Sequence, residues 1–180
     1  MADEQVGDVT AKAASGDRDA FAALIRRNQA MVYSLAWHSL GDEGLAEELS
    51  QDVFLELHRA LPGLESEAHV TNWLRRVTMH RCIDQARRRK SRPQVALDDV
   101  SEPAAESAGN PDFYLRSRLQ TLIGSMPERA RSVLLLRYQE DMEPTEIAGV
   151  LGLPVNTVKS QLHRSLAMLR DKLQRTRVTA

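Results

Sequence analysis

The chain carries one cysteine, Cys82, in 180 residues, so no disulfide can form within it, and no second thiol supplies the spacing of a zinc ribbon. No run of about 18 apolar residues is present, which excludes a membrane-spanning helix on hydropathy. The opening MADEQVGDVTAKAASGDRDA lacks the basic-then-apolar order of a secretory signal. The expectation is therefore a cytoplasmic protein without membrane insertion. Paired carboxylates, a nucleophile beside a base and a phosphate-cradling glycine loop are also missing, which makes an enzyme the weakest of the function classes. His38, His58, His69, His80 and His163 show no ligand spacing, so neither metal nor cofactor is expected.

Net charge is nearly absent as well, at −1, but this balance hides segregation along the chain. Residues 41–67 hold eight acids against Arg59, a net −7; residues 75–92 hold eight bases against Asp84, a net +7; residues 155–177 hold six bases against Asp171, a net +5. Two basic blocks suggest two contacts with nucleic acid, and the acidic block a surface for something else. Taken singly, each block also suits an ordinary solvated helix face.

What is abundant is helical periodicity. Asp17 is placed to cap a helix whose Phe21, Leu24, Ile25, Val32 and Leu35 share one face, with Gly41 as its stop. A second helix carries Leu45, Leu49, Val53, Leu57 and Leu61 at four-residue steps and ends at Pro62 and Gly63. A third is expected to begin near Val70 or Thr71, to turn Trp73, Leu74 and Val77 inward and to dissolve into the basic run before Pro93. Residues 93–112 hold three prolines, five acids and no Lys or Arg, the composition of a flexible acidic linker. The helical period resumes at Phe113 with Leu115, Leu119, Leu122 and Ile123, breaks at Met126 and Pro127, and returns with Val133, Leu134 and Leu136. The fold class is all-α: two small helical domains, 13–92 and 113–180, joined by the 93–112 linker.

The last two helices carry the sharpest signal. Pro144 is a favoured first helical residue, Ile147, Ala148 and Leu151 turn inward, and Gly152 to Pro154 make a short turn. In the helix that follows, about 100° per residue puts Val158, Leu162, Ser165, Leu166, Leu169 and Leu173 on one side. Asn156, Lys159, Ser160, His163, Arg164 and Ala167 fall on the other. Lys reads guanine, Asn reads adenine, Ser and Thr157 serve either, and Arg grips phosphate. Two helices about a glycine turn, the second amphipathic and presenting such side chains, form a helix-turn-helix for the major groove.

The residues GDRDAFAALIRRNQAMVYSLAWHSLGDEGLAEELSQDVFLELHRAL followed by NWLRRVTMHRCIDQARRRKSRP resemble region 2 of bacterial sigma factors, and MPERARSVLLLRYQEDMEPTEIAGVLGLPVNTVKSQLHRSLAMLRDKL resembles region 4. Both occur in order across a linker, with no region 3 between them. The chain is thus most similar to the extracytoplasmic-function group of the sigma-70 family. The resemblance implies a non-catalytic subunit that binds core RNA polymerase, through the clamp coiled coil of its largest subunit and its flap, and that directs initiation on promoter DNA. Many members are held by an anti-sigma factor, so a partner of that kind is expected.

The resemblance assigns polymerase contact to the second helix, where Glu47, Glu48, Gln51, Asp52 and Glu56 suit a basic partner. It assigns the minus-ten element to the loop 62–72 and the following helix, where Arg75, Arg76, Arg81, Arg87, Arg88, Arg89 and Lys90 suit the DNA backbone. The minus-35 element falls to Asn156, Thr157, Lys159, Ser160, His163 and Arg164. Trp73 is a candidate stacking platform, but its phase with Val70, Leu74 and Val77 favours the core. Gln161 stands where the family commonly has Arg, and His80, read as partly buried, stands where Asn is common. The rival reading is a stand-alone helix-turn-helix regulator on duplex operators, which needs no acidic polymerase-binding helix and would usually dimerise.

Overall fold

The computed structural model describes residues 9–91 and 111–178, with side chains over 9–90 and 118–175. The expected linker lies outside the described residues except for 111–112, which already open a helix. The elements are α1 (9–14), α2 (Arg18–Leu40), α3 (Glu43–Ala60), a 3₁₀ turn (Leu61–Gly63), α4 (Glu67–Ser91), α5 (Pro111–Gly124), α6 (Glu128–Tyr138), α7 (Pro144–Leu151) and α8 (Val155–Val178). No strand occurs among the described residues.

Local chemistry sets most of these boundaries. The Asp17 carboxylate accepts from the backbone N–H groups of Asp19 and Ala20 at 2.9 and 3.0 Å, satisfying donors that α2 leaves orphaned. Asp42 does the same for Leu45 at the start of α3. Between them Gly41 sits at φ 67°, a left-handed C-cap donating to the Trp37 carbonyl. Helix α4 starts earlier than the apolar pattern indicates, at Glu67, because the Ser66 hydroxyl accepts from the His69 N–H at 3.2 Å. Nor does it dissolve at the basic run: Arg87 to Lys90 are helical. Straight-chain cations are good helix formers, and those at a C-terminus complement the helix dipole.

Apolar residues of α2, α3 and α4 build the first core, with Leu24, Val32, Val53, Leu57, Val70 and Leu74 fully buried. Inside it Asn28 donates to the Leu24 carbonyl and accepts from the Thr71 hydroxyl at 3.0 Å, a buried polar link from α2 to α4. The Cys82 thiol is buried in the same core and burial pushes its pKa up to about 12, so it is inert. Trp73 packs partly against this core, as its phase indicated, while its remaining surface lines a groove. His80, expected to be partly buried, is exposed, because it falls on the opposite face of α4 from Leu74 and Cys82.

The second core joins Val133 and Leu136 of α6, Ile147 of α7 and Val158 of α8. Helix α7 opens with a capping box: the Glu143 N–H donates to Glu146 at 2.7 Å, and the Glu143 side chain accepts in return. Gly152 closes it at φ 64°. A Cβ added there would meet nothing within 4 Å, so Gly152→Ala introduces backbone strain alone. We expect a loss of about 1–2 kcal/mol, checked as a fall of several degrees in Tm by calorimetry. Helix α5 is more weakly seated than its period suggested. Leu119 is 44% exposed and, on α8, Leu166 is 38% exposed, since a shared helix face needs a neighbour to cover it.

The second core extends onto the first module. Leu35 of α2 and Met79 of α4, both fully buried, belong to the cluster of Val133, Leu136 and Ile147, so the second module packs on the first through α2 and α4.

Candidate nucleic-acid and protein interface

Helix α3 turns Leu49, Val53 and Leu57 into the core and leaves Glu47, Glu48, Gln51 and Asp52 exposed. Glu56 lies at the edge of that face. In its middle stands Leu55, 62% exposed, which the apolar pattern passed over because it is out of phase with its inward neighbours. The signal was there: a leucine among acids, out of phase with Leu49, Val53 and Leu57, falls on the outward face.

Between α3 and α4 runs an open groove of about 710 Å³. Glu48, Asp52 and Glu56 form one wall, and Arg76, Arg81 and Arg88 the other, with Trp73 and Val77 on its floor. Arg81 crosses it, paired with Asp52 at 3.3 Å and with Glu56. The cations assigned together on the basic run are thus divided among several directions. Arg81 meets the acids of α3. Arg89 pairs with Asp42 at 3.5 Å. Arg75 pairs with Glu140 at 3.0 Å and Lys90 with Glu128 at 2.7 Å, both acids belonging to the second module. Arg76 and Arg88 are exposed, as is Arg87, which pairs with Asp84 on its own helix at 3.8 Å. Helical rotation is the reason, because a contiguous run of charge winds around the axis. In the segment before α4 Leu64 is buried, and at the first residue of α4 Glu67 pairs with Arg27 at 2.6 Å, which offsets one of the two acids there.

On the second module Asn156, Lys159, Ser160, His163 and Arg164 are exposed together along α8, and Thr157 is half-buried. The Ser160 hydroxyl donates to the Thr157 carbonyl at 2.9 Å. The opposite face docks through Val158 and Ser165, both fully buried. About two and a half helical turns therefore offer hydrogen-bonding side chains on a rigid support, a geometry that suits a groove-reading helix.

An acidic, leucine-centred helix on one module and a polar reading helix on the other define a class: a two-module DNA-binding subunit that joins a larger machine. Comparison with known proteins gives it a family. Residues 24–92 match Sigma-70 region 2 and residues 116–169 match Sigma-70, region 4. The chain is 28% identical over 173 residues to the ECF RNA polymerase sigma factor SigW of Bacillus subtilis, covering 88% of this chain and 91% of that protein. It is 31% identical over 168 residues to the ECF RNA polymerase sigma factor SigE of Mycolicibacterium smegmatis, covering 89% and 65%. Among solved structures, CnrH in complex with the cytosolic domain of CnrY superposes with a TM-score of 0.72 at 25% identity over 97% of this chain and 98% of that one. The sigma factor RpoE of Bartonella quintana, in complex with the anti-sigma factor NepR, shares the fold with a TM-score of 0.67 at 18% identity over 86% of this chain and 96% of that one. The chain belongs to the extracytoplasmic-function group of the sigma-70 family. It is a sigma factor directing promoter-specific transcription, and not an enzyme. No helix among the described residues is long and apolar enough to cross a membrane.

Proposed function

We propose a division of labour between the two modules. The first, 13–92, binds core RNA polymerase through Glu47, Glu48, Gln51, Asp52 and Glu56 of α3, with Leu55 as the apolar centre of the contact. It holds the opened minus-ten element through the segment 62–72 and α4. The second, 113–180, reads the minus-35 element as duplex through Asn156, Thr157, Lys159, Ser160, His163 and Arg164. The observation that carries this reading is that the acidic face of α3 and the polar face of α8 stand exposed on separate modules.

Physical chemistry supports each assignment. Acids around a leucine give steering and register at the rim and burial at the centre. Arg76, Arg87 and Arg88 are exposed for phosphate contact, and unstacked bases held in a pocket offset an opening cost of a few kcal/mol. The polymerase clamp coiled coil and flap, promoter DNA and an inhibitory protein of the anti-sigma kind are the partners of this reading. The cytosolic domain of CnrY bound to the similar CnrH chain supports a further protein partner. The protein works in the cytoplasm, where polymerase and promoter are.

The test is in vitro transcription with purified core polymerase on a promoter library. Start-site-specific transcripts sharing two upstream motifs are expected. A stable dimer that shifts duplex operators and ignores polymerase would instead establish the stand-alone regulator.

A further inference from the structure

Glu48, Asp52 and Glu56 stand at four-residue steps along α3, and Trp73, Val77 and Arg81 at four-residue steps along α4, so two rows of side chains line the groove from opposite sides. Like charges four residues apart on one helix repel, which leaves the three acids without a favoured arrangement of their own. Arg81 supplies one. Its Nη1 donates to Asp52 Oδ2 at 3.3 Å and its Nη2 to Glu56 Oε1. A planar guanidinium presents its donors in a fixed fork, so two carboxylates one helical turn apart are tied to a single group on the neighbouring helix.

Neither acid is used up by this pairing. A carboxylate has two oxygens and room for about four hydrogen bonds, and the Asp52 and Glu56 side chains stay 52% and 34% exposed. Each therefore keeps acceptor capacity toward solvent while its direction is set from behind. Arg81, by contrast, has little left to offer DNA. With two carboxylates against one guanidinium the local charge is negative, which repels a phosphate, although the sequence places Arg81 among the bases that suit one.

We infer that Arg81 is a positioning residue for the polymerase contact and not a hold on the DNA backbone: it fixes Asp52 and Glu56 before docking, so that their open oxygens meet a basic partner surface already ordered. Association costs freedom for each side chain that must be immobilised, and Arg81 removes that cost for two acids in advance. This rests on α3 being the polymerase-binding face. It leaves the phosphate contacts of α4 to Arg76, Arg87 and Arg88, which are exposed.

The test measures binding kinetics of the full chain on immobilised core RNA polymerase. Arg81→Ala should weaken the complex about tenfold, the value of two carboxylates ordered in advance, and should do so through faster dissociation. Association should be unchanged or faster, because the variant carries more negative charge toward a basic surface. A chain that had merely lost structure would associate more slowly, and circular dichroism should show the parent's helix content. Arg81→Lys keeps the charge without the fork and should recover part of the affinity. In a background of Asp52→Asn with Glu56→Gln, removing Arg81 should cost nothing more. In holoenzyme formed at saturating polymerase, Arg81→Ala should hold a fluorescein-labelled single strand, carrying the minus-ten motif found on the promoter library, as tightly as the parent does. Full polymerase affinity in Arg81→Ala overturns the inference, as does an equal loss with the two acids neutralised. A weaker hold on the strand, with the salt slope reduced by roughly 0.7, overturns it by placing Arg81 on phosphate. A loss in Glu48→Lys with Asp52→Lys beside none in Arg81→Ala removes only the role of Arg81; no loss in either removes α3 as the polymerase-binding face.

Discussion

Glu48→Lys combined with Asp52→Lys is expected to lower affinity for core RNA polymerase by about a hundredfold or more. Placing like charges against a basic partner costs several kcal/mol, and each 1.4 kcal/mol is about a factor of ten. Both residues are exposed, on the face where Leu55 stands 62% exposed, so the change falls on a surface and not on the core beneath Leu49, Val53 and Leu57. Asp52 also pairs with Arg81, but Arg81 keeps its partner Glu56, and exposed pairs of this kind contribute only about 0–1 kcal/mol. Stability should therefore hold, which circular dichroism checks. Binding to a minus-35 duplex should hold too, because α8 lies on the other module. Unchanged polymerase affinity would move the contact elsewhere.

Lys159→Ala should remove about 1–3 kcal/mol of discrimination between promoter sequences, the value of one good base-edge contact. Lys159 is exposed one turn into α8, on the same face as Asn156, Ser160 and His163, and the fully buried Val158 beside it fixes its direction. Sequence selection on a randomised minus-35 duplex measures the effect as relaxed preference at one position. A uniform loss across sequences, with the salt slope reduced by about one, would instead place Lys159 on phosphate. Gln161 is half-buried, so it is a weaker place for a contact than its neighbours whatever its chemistry.

Capping and phase are legible in the sequence itself. Asp17, Gly41, Pro144 and Gly152 set helix ends through their own side chains or backbone, which need no distant partner. The reading face of α8 follows from rotation alone. Phase was a poorer guide where an element lacks a covering neighbour, hence exposed Leu119 and Leu166, and where a polar cap outran the apolar pattern, hence α4 starting at Glu67.

From its residues the chain settles that it is helical, that one helix is acidic outside and apolar inside, and that another presents a row of hydrogen-bonding groups, because each of these is a property of a single helix. The meeting of Met79 with the second core, the reach of Arg131 to the end of α2, the pairing of Arg75 with Glu140 and the crossing of Arg81 to Asp52 join residues dozens of positions apart. Periodicity states which side chains share a face and is silent on what that face meets. Only the packed arrangement divides a basic run into cations turned to solvent, cations held by α3 and cations held by the other module.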